Sequence, residues 1–199
     1  MEPFRTHTGK IAVIDADNVD TDRIIPARFL SRVDRSGYGE LLFSDVRGDS
    51  FPLDQVDAKG ATILVVGTNF GCGSSREHAV WAIQQAGFKA VVSKRTPDSP
   101  GYSDIFRQNS ANCGLLLVEL APNDHDTLAG AGSGTEATID LPNQTVTVKG
   151  QVLPFDINTV TKQALVEGLD LIGTTLVYGD RISDYERSSH EFVPAGAKN

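Results

Sequence analysis

The segment Gly67-Thr-Asn-Phe-Gly-Cys-Gly-Ser-Ser-Arg-Glu-His78 carries the residue types best suited to chemistry, and it joins an apolar run to a helical pattern through three glycines. Backbone N–H groups at a helix start are unpaired and lie at the positive end of the helix dipole, so a negatively charged ligand group is favoured there. Gly71 and Gly73 allow the ligand to approach the backbone closely. Arg76 adds a planar fork of donors that matches a carboxylate or phosphate bidentately, which points to a small acidic substrate. Each residue also has a plainer reading. Ser74 and Glu77 spell the S-x-x-E capping box, and by local pattern Ser74 is a helix cap. Arg76 also reads as half of a surface ion pair, Cys72 as a small buried hydrophobe, and His78 and Trp81 as packing residues of the helix.

Several familiar motifs fail at this segment. A phosphate-binding P-loop needs Gly-Lys-Ser/Thr, but Gly73 is followed by Ser74 and Ser75. A dinucleotide fingerprint needs Gly or Ala where Arg76 stands, and the Gly-x-Ser-x-Gly elbow of serine hydrolases is not supplied. A second cluster, Asp17-Asn-Val-Asp-Thr-Asp22-Arg23, has the carboxylate spacing of a calcium loop. An EF-hand started at Asn18 would want Gly at Arg23 and Glu at Phe29, so calcium is excluded and the cluster alone reads as an Asp/Asn-rich turn.

The elements that must position these residues follow from hydrophobic pattern. Residues 10–15 (KIAVID) read as a strand, and Pro26 suits the first turn of a short helix over 26–30. The span 31–57 has no assignable pattern. Residues 61–66 (ATILVV) read as a buried strand, and 76–86 carry Ala79, Ala82, Ile83 and Ala86 at helical spacing, with Gly87 as the stop. Residues 88–93 read as a strand, 103–109 as a short helix and 115–120 (LLLVEL) as a strand. Alternation of this kind predicts an α/β fold with a mostly parallel sheet and right-handed crossovers, its ligand crevice beyond the carboxyl ends of the strands. After Pro122 comes a Gly/Ala/Ser-rich stretch over 129–134, then a hairpin from 138–141 and 145–148. Residues 160–171 read as an amphipathic helix stopped by Gly173, and 174–178 as a final strand.

With 199 residues, 40% hydrophobic and 22% charged, the chain suits one domain over 1–199, with a flexible tail at about 193–199. Lys+Arg total 18 against 26 Asp+Glu, a net charge of −8 that opposes nucleic-acid binding. No apolar run reaches the roughly 20 residues of a membrane span, and residues 1–10 lack a signal-peptide core, so a cytoplasmic protein is expected. Two cysteines, Cys72 and Cys113, are too few to hold an iron–sulfur cluster alone. Any such cluster would come from another polypeptide.

Taken together, Asn18-Val-Asp-Thr-Asp-Arg-Ile-Ile-Pro26 and Phe70-Gly-Cys-Gly-Ser-Ser-Arg-Glu-His-Ala79 closely resemble the small-subunit family of 3-isopropylmalate dehydratase. Ser103-Asp-Ile-Phe106, Asn109, Gly114-Leu-Leu and Glu167-Gly-Leu-Asp-Leu-Ile172 extend the resemblance over nearly the whole chain, up to Phe192. It implies a swivelling β/β/α domain of aconitase type, standing alone and paired with a large subunit that carries a [4Fe–4S] cluster. This chain would then bind no metal or cofactor of its own. The implied reaction, in leucine biosynthesis, removes water from 2-isopropylmalate and restores it at the neighbouring carbon, with the cluster's open iron acting as a Lewis acid on the small dicarboxylate.

By position in the motifs, the resemblance makes Ser74 the base that takes the carbon-bound proton, Ser75 and Arg76 binders of substrate carboxylate, and Asp22 a residue that orients Arg76 or a substrate group. A serine hydroxyl is a very weak base, and serves only where backbone N–H groups and Arg76 stabilise its alkoxide. Two departures stand out: Val80 replaces a proline common in the family, and 94–101, with Pro97 and Pro100, is longer than usual and reads as a tolerated surface insertion. Homoaconitate, citraconate and dimethylmalate remain alternative substrates, although 29–47 resembles the isopropylmalate form. A non-catalytic regulatory anion-binding module is the alternative from another class.

Overall fold

The computed structural model describes residues 1–31, 34–74 and 76–188. Seven strands form one sheet: β1 (Thr6–Ile14), β2 (Ile63–Val66), β3 (Ala90–Lys94), β4 (Leu116–Leu120), β5 (Glu136–Asp140), β6 (Thr145–Val148) and β7 (Gln151–Pro154), in the order β4-β3-β2-β1-β5-β6-β7. The first four are parallel, with Ile11 opposite Ile63 and Leu64 opposite Val91. From β1 onward the pairing is antiparallel, so the expected hairpin of β5 and β6 gains β7 as a third strand. The helices are α1 (Thr21–Ile24), α2 (Glu77–Gln85), α3 (Asp104–Cys113), α4 (Pro122–Gly130), α5 (Thr159–Glu167), α6 (Leu171–Leu176) and α7 (Gly179–Ser188).

The core explains why β2 has no polar position. Leu64 and Val66 join Ala12, Ile14 and Val91 in a cluster capped by Val80 and Ile83 of α2, whereas Ile63 and Val65 face a second cluster with Leu128 of α4, Leu165 of α5 and Ile139, Val146 and Leu153 of the antiparallel strands. A strand covered on both faces reads as a continuous apolar run, which is the signature of β2 and of the first three residues of β3. Leu116, Val118 and Leu120 of β4 share the second cluster with Leu153 of β7, so the two outer strands contribute to one core.

Two stretches without a sequence reading gain structure, and two sequence expectations are corrected. The unassigned span holds tight 3₁₀ turns at Gly39–Leu41, Pro52–Asp54 and Val56–Ala58, and buries Tyr38, Leu42, Phe43 and Phe51. Such turns have no period from which to be predicted. Residues 122–130 form α4, begun by Pro122 in its first turn and burying only His125 and Leu128. The helix expected to run to 171 ends at Glu167, where Gly168 takes a left-handed conformation with φ 72°, and the predicted strand at 174–178 is absent. Asp170 accepts a hydrogen bond from the Gly173 N–H at 2.7 Å and starts α6 instead. A fitting cap thus outweighs the strand preference of Thr174, Thr175 and Val177. The tail at 193–199 lies outside the described residues.

Candidate active site

The two motifs meet because β1 and β2 are neighbouring parallel strands and both loops leave from the same end of the sheet. Their backbones are zipped together: Asn18 N–H donates to the Thr68 carbonyl at 2.9 Å, Gly71 N–H to Val19 at 2.8 Å and Thr21 N–H to Cys72 at 2.9 Å. The Thr21 hydroxyl donates to the Ser74 carbonyl at 2.9 Å, which fixes the turn carrying Ser74. Asp17 clamps the base of the glycine loop by accepting from Thr68 N–H and Oγ1 at 2.6 and 2.9 Å, and these bonds hold its carboxyl below the usual carboxylate range. Asp20 caps α1 by accepting from the Arg23 N–H at 2.7 Å, and α1 presents Asp22.

A third segment straps the glycine loop from the other side. Asn69 N–H donates to Pro100 at 2.7 Å and Phe70 N–H to Gly101 at 2.9 Å, while the Ser103 hydroxyl donates to the Gly71 carbonyl at 2.6 Å. The end of the 94–101 segment is therefore a backbone partner of the site. Glu119 holds that strap by accepting from Gly101 N–H at 2.6 Å, and Arg107 grips the same carboxylate through two bonds of 2.7 and 2.8 Å. The sequence reading missed Arg107, Glu119 and the Asp17–Thr68 clamp. None has a motif, since each depends on which loops the sheet brings together.

Gly71 sits with φ +73°, and a Cβ there would lie 2.3 Å from the Phe106 ring. Gly71→Ala is therefore expected to cost about 3 kcal/mol, from overpacking and backbone strain together. Urea unfolding of the isolated chain checks it, and a loss below about 1 kcal/mol would show that the Phe106 contact is soft.

Ser74 does not cap α2. The helix starts at Glu77 with Arg76 as its N-cap residue, in extended conformation and without a side-chain cap bond. Gly73, with φ +87°, turns the chain before the helix, and Glu77 instead accepts from the Cys113 thiol at 3.2 Å, so the capping box is not formed. Ser74 is exposed, and Ser75 lies outside the described residues. Among the described residues, no side chain caps the first N–H groups of α2. Arg76, 14% exposed, pairs through Nη1 with a carboxylate oxygen of Asp22, which is 52% exposed. Its remaining guanidinium donors have no protein acceptor among the described residues. His78 and Trp81 pack with Tyr38, with ring centroids 4.7 to 5.7 Å apart.

Burial and then Glu77 push the Cys113 thiol up to about 12, and burial with Asp20 also raises that of Cys72, so both are neutral thiols at pH 7. No group of three or more His, Cys, Asp or Glu residues among the described residues could hold a metal ion. The donor set of this chain does not fit an iron–sulfur cluster.

Below the glycine loop, buried His125 donates from Nε2 to the Val66 carbonyl at 2.7 Å, and its Nδ1 has no hydrogen-bond partner among the described residues. Asp126 lies 3.7 Å from Nδ1 and is itself paired with Lys94 at 2.6 Å. Desolvation lowers the His125 pKa below 6.5, helped by Lys94 and opposed by the Val66 bond and by Asp15 and Asp126. The folded state then binds fewer protons than the unfolded one, so stability is retained above pH 6.5 and lost as pH falls below it. We expect a loss of up to ~1.4 kcal/mol per pH unit from this residue. Burial and Lys89 lower the His7 pKa as well, so the difference between wild type and His125→Gln in urea unfolding from pH 7.5 to 5.5 isolates the contribution. Equal slopes would remove it.

Two loops at the carboxyl ends of adjacent parallel strands, one carrying Asp22 and the other leading to Arg76 at the start of α2, place the candidate site where α/β domains hold their ligands. The family model for the aconitase C-terminal domain matches residues 1–123, and a second model, LeuD_N, matches 127–159. Proteins named 3-isopropylmalate dehydratase small subunit are 42% identical in Koribacter versatilis and 46% identical in Halalkalibacterium halodurans, each match covering 94% of this chain and 99% of the relative. A crystal structure of 3-isopropylmalate dehydratase (leuD) from Methanocaldococcus jannaschii superposes with a TM-score of 0.66 at 26% identity, covering 92% of this chain and 99% of that one. The chain belongs to the small-subunit family of 3-isopropylmalate dehydratase, within the aconitase superfamily. The mixed sheet with flanking helices is that family's swivelling domain.

Proposed function

We propose that this chain is the small subunit of a 3-isopropylmalate dehydratase, a hydro-lyase that converts 2-isopropylmalate to 3-isopropylmalate by dehydration and rehydration in leucine biosynthesis. The observation that carries the reading is the Arg76–Asp22 pair beside exposed Ser74, with guanidinium donors left over for a substrate carboxylate. Arg76 and Ser75 bind that carboxylate, and Asp22 holds the guanidinium in place. Ser74, as alkoxide stabilised by Arg76 and the N–H groups at the start of α2, takes the proton from carbon, and the C–H electron pair forms the alkene as the C–O bond breaks, its departing hydroxide going to the Lewis acid that the large subunit's cluster would supply. On rehydration Ser74 returns a proton to the other carbon.

The [4Fe–4S] cluster is assigned to a large-subunit partner, because the two cysteines of this chain are too few to hold it. No described helix is long and apolar enough to cross a membrane, and the reading puts the reaction in the cytoplasm. Hydration of isopropylmaleate, followed by its absorbance, tests the proposal with this chain alone, the large subunit alone and the two mixed anaerobically with iron restored. Activity only in the mixture supports it. A clear preference of the mixture for homoaconitate, citraconate or dimethylmalate would overturn the substrate assignment.

A further inference from the structure

Away from the candidate site, a cavity of about 260 Å³ is walled by β4 and α3 on one side and by the residues after β7 and the start of α5 on the other. Its apolar lining comes from both cores: Leu115 and Leu117 pack with the first cluster, Ile157 and Leu165 with the second. A single water needs only about 10–15 Å³, so the space suits a small organic molecule rather than a water or an ion. Four charged side chains line it: Arg95, Arg107, Glu119 and Asp156. Two of them are spent, since Arg107 grips Glu119 through bonds of 2.7 and 2.8 Å and Glu119 also accepts from Gly101 N–H at 2.6 Å. Among the described residues, the Arg95 guanidinium and the Asp156 carboxylate make no hydrogen bond or ion pair, and Arg95 meets Glu119 only as a nearby charge. Both also line an adjoining cavity of about 440 Å³, so the two free charges stand at the border that the cavities share.

The charges say what kind of molecule fits. Two positive and two negative side chains line the space, so it favours neither a net anion nor a net cation. The guanidinium fork of Arg95 matches a carboxylate, and the carboxylate of Asp156 matches an ammonium with its three donors. A dicarboxylate would set its second charge against Asp156 and Glu119, and a diamine would set one against Arg95 and Arg107. A zwitterion with an apolar side chain satisfies both free charges and the apolar lining at once, which is the usual division of a ligand pocket into apolar wall and a few orienting polar groups. Arg95 belongs to the long 94–101 segment, whose last residue, Gly101, is the backbone partner of Glu119, so this segment helps to build the cavity.

We propose that this cavity binds a small aliphatic α-amino acid, with its carboxylate on Arg95, its ammonium on Asp156 and its side chain against Leu117, Ile157 and Leu165. The site goes beyond the small-subunit reading and does not rest on it, because neither Arg95 nor Asp156 has a part in the proposed catalysis. Calorimetric titration of the full-length chain with L-leucine at pH 7 tests it, and a dissociation constant of about 1 mM or below is expected. Arg95→Gln and Asp156→Asn, both at exposed positions and each checked for folding by circular dichroism, are expected to raise that constant about tenfold, the loss of one hydrogen-bonded charge. Three further probes dissect the ligand: 4-methyl-2-oxopentanoate lacks the ammonium, 3-methylbutylamine lacks the carboxylate and glycine lacks the side chain. Each is expected to bind at least about tenfold more weakly than leucine. No heat at about 10 mM leucine, well above the expected constant, overturns the proposal. Wild-type affinity in both folded variants overturns it too, since leucine would then bind elsewhere. Equal affinity for 4-methyl-2-oxopentanoate and leucine would make the cavity a plain anion site and overturn the assignment to a zwitterion. All of these outcomes leave the catalytic reading untouched, so the two fail separately.

Discussion

Ser74→Ala in the assembled enzyme is expected to lower kcat by about 10³-fold, with KM and folding stability close to wild type. The magnitude follows from the role: a positioned base contributes roughly 10² to 10⁴ in rate, and alanine leaves no group to take the proton. The unchanged stability follows from the structure. A serine N-cap replaced by alanine typically costs about 1 kcal/mol, but α2 starts at Glu77 with Arg76, not Ser74, as its N-cap residue, and Ser74 is exposed two residues ahead of Arg76. The hydroxyl is therefore free of the structural duty that the local sequence pattern assigns it. Steady-state kinetics of the reconstituted pair and urea unfolding of the isolated chain separate the outcomes. Turnover within tenfold of wild type would remove Ser74 as the base. A stability loss near 1 kcal/mol with turnover intact would restore the cap.

The reason the capping box misleads is specific. It assumes that the chain enters the helix directly after Ser74, but Gly73 in the left-handed region and Arg76 in extended conformation place the helix start later, and Glu77 is occupied with Cys113. Elsewhere the legible parts are those where one interaction dominates. β2 is legible because burial on both faces leaves only apolar residues, and β3 because its first three, Ala90, Val91 and Val92, are apolar and buried. α4 is not, because its sequence PNDHDTLAG buries just His125 and Leu128 and shows no stripe. α6 is not, because the Asp170 cap competes with β-branched residues and the pattern cannot weigh the two. At the site, the expectation of an anionic ligand rests on the residue types of the glycine loop and Arg76 alone. Their meeting with Asp22 depends on β1 lying beside β2 in the sheet, which residue pattern does not give and the family resemblance does. The clamp of Asp17 on Thr68 and the strap held by Arg107 and Glu119 are third-party contacts, visible only once three loops are in place.

Arg76→Ala is expected to lower kcat/KM by two to three orders of magnitude, equivalent to about 3–4 kcal/mol for two lost hydrogen bonds to a charged group. Arg76→Lys should recover only part, since an ammonium offers one point of charge where the guanidinium offers a fork. The competing account makes Arg76 half of a surface ion pair with Asp22. Asp22 is half exposed, and exposed pairs contribute at most about 1 kcal/mol to stability and nothing to turnover. The two accounts separate on Asp22→Asn. If the carboxylate serves to aim the guanidinium at substrate, this variant loses roughly tenfold in kcat/KM, carried mainly by KM, and loses little further when combined with Arg76→Ala. If the pair is only structural, Asp22→Asn and Arg76→Ala shift unfolding slightly and leave kcat/KM within threefold. Non-additivity in kcat/KM, measured as a double-mutant cycle on the reconstituted enzyme, is thus the signature that Arg76 acts on substrate and Asp22 acts through Arg76.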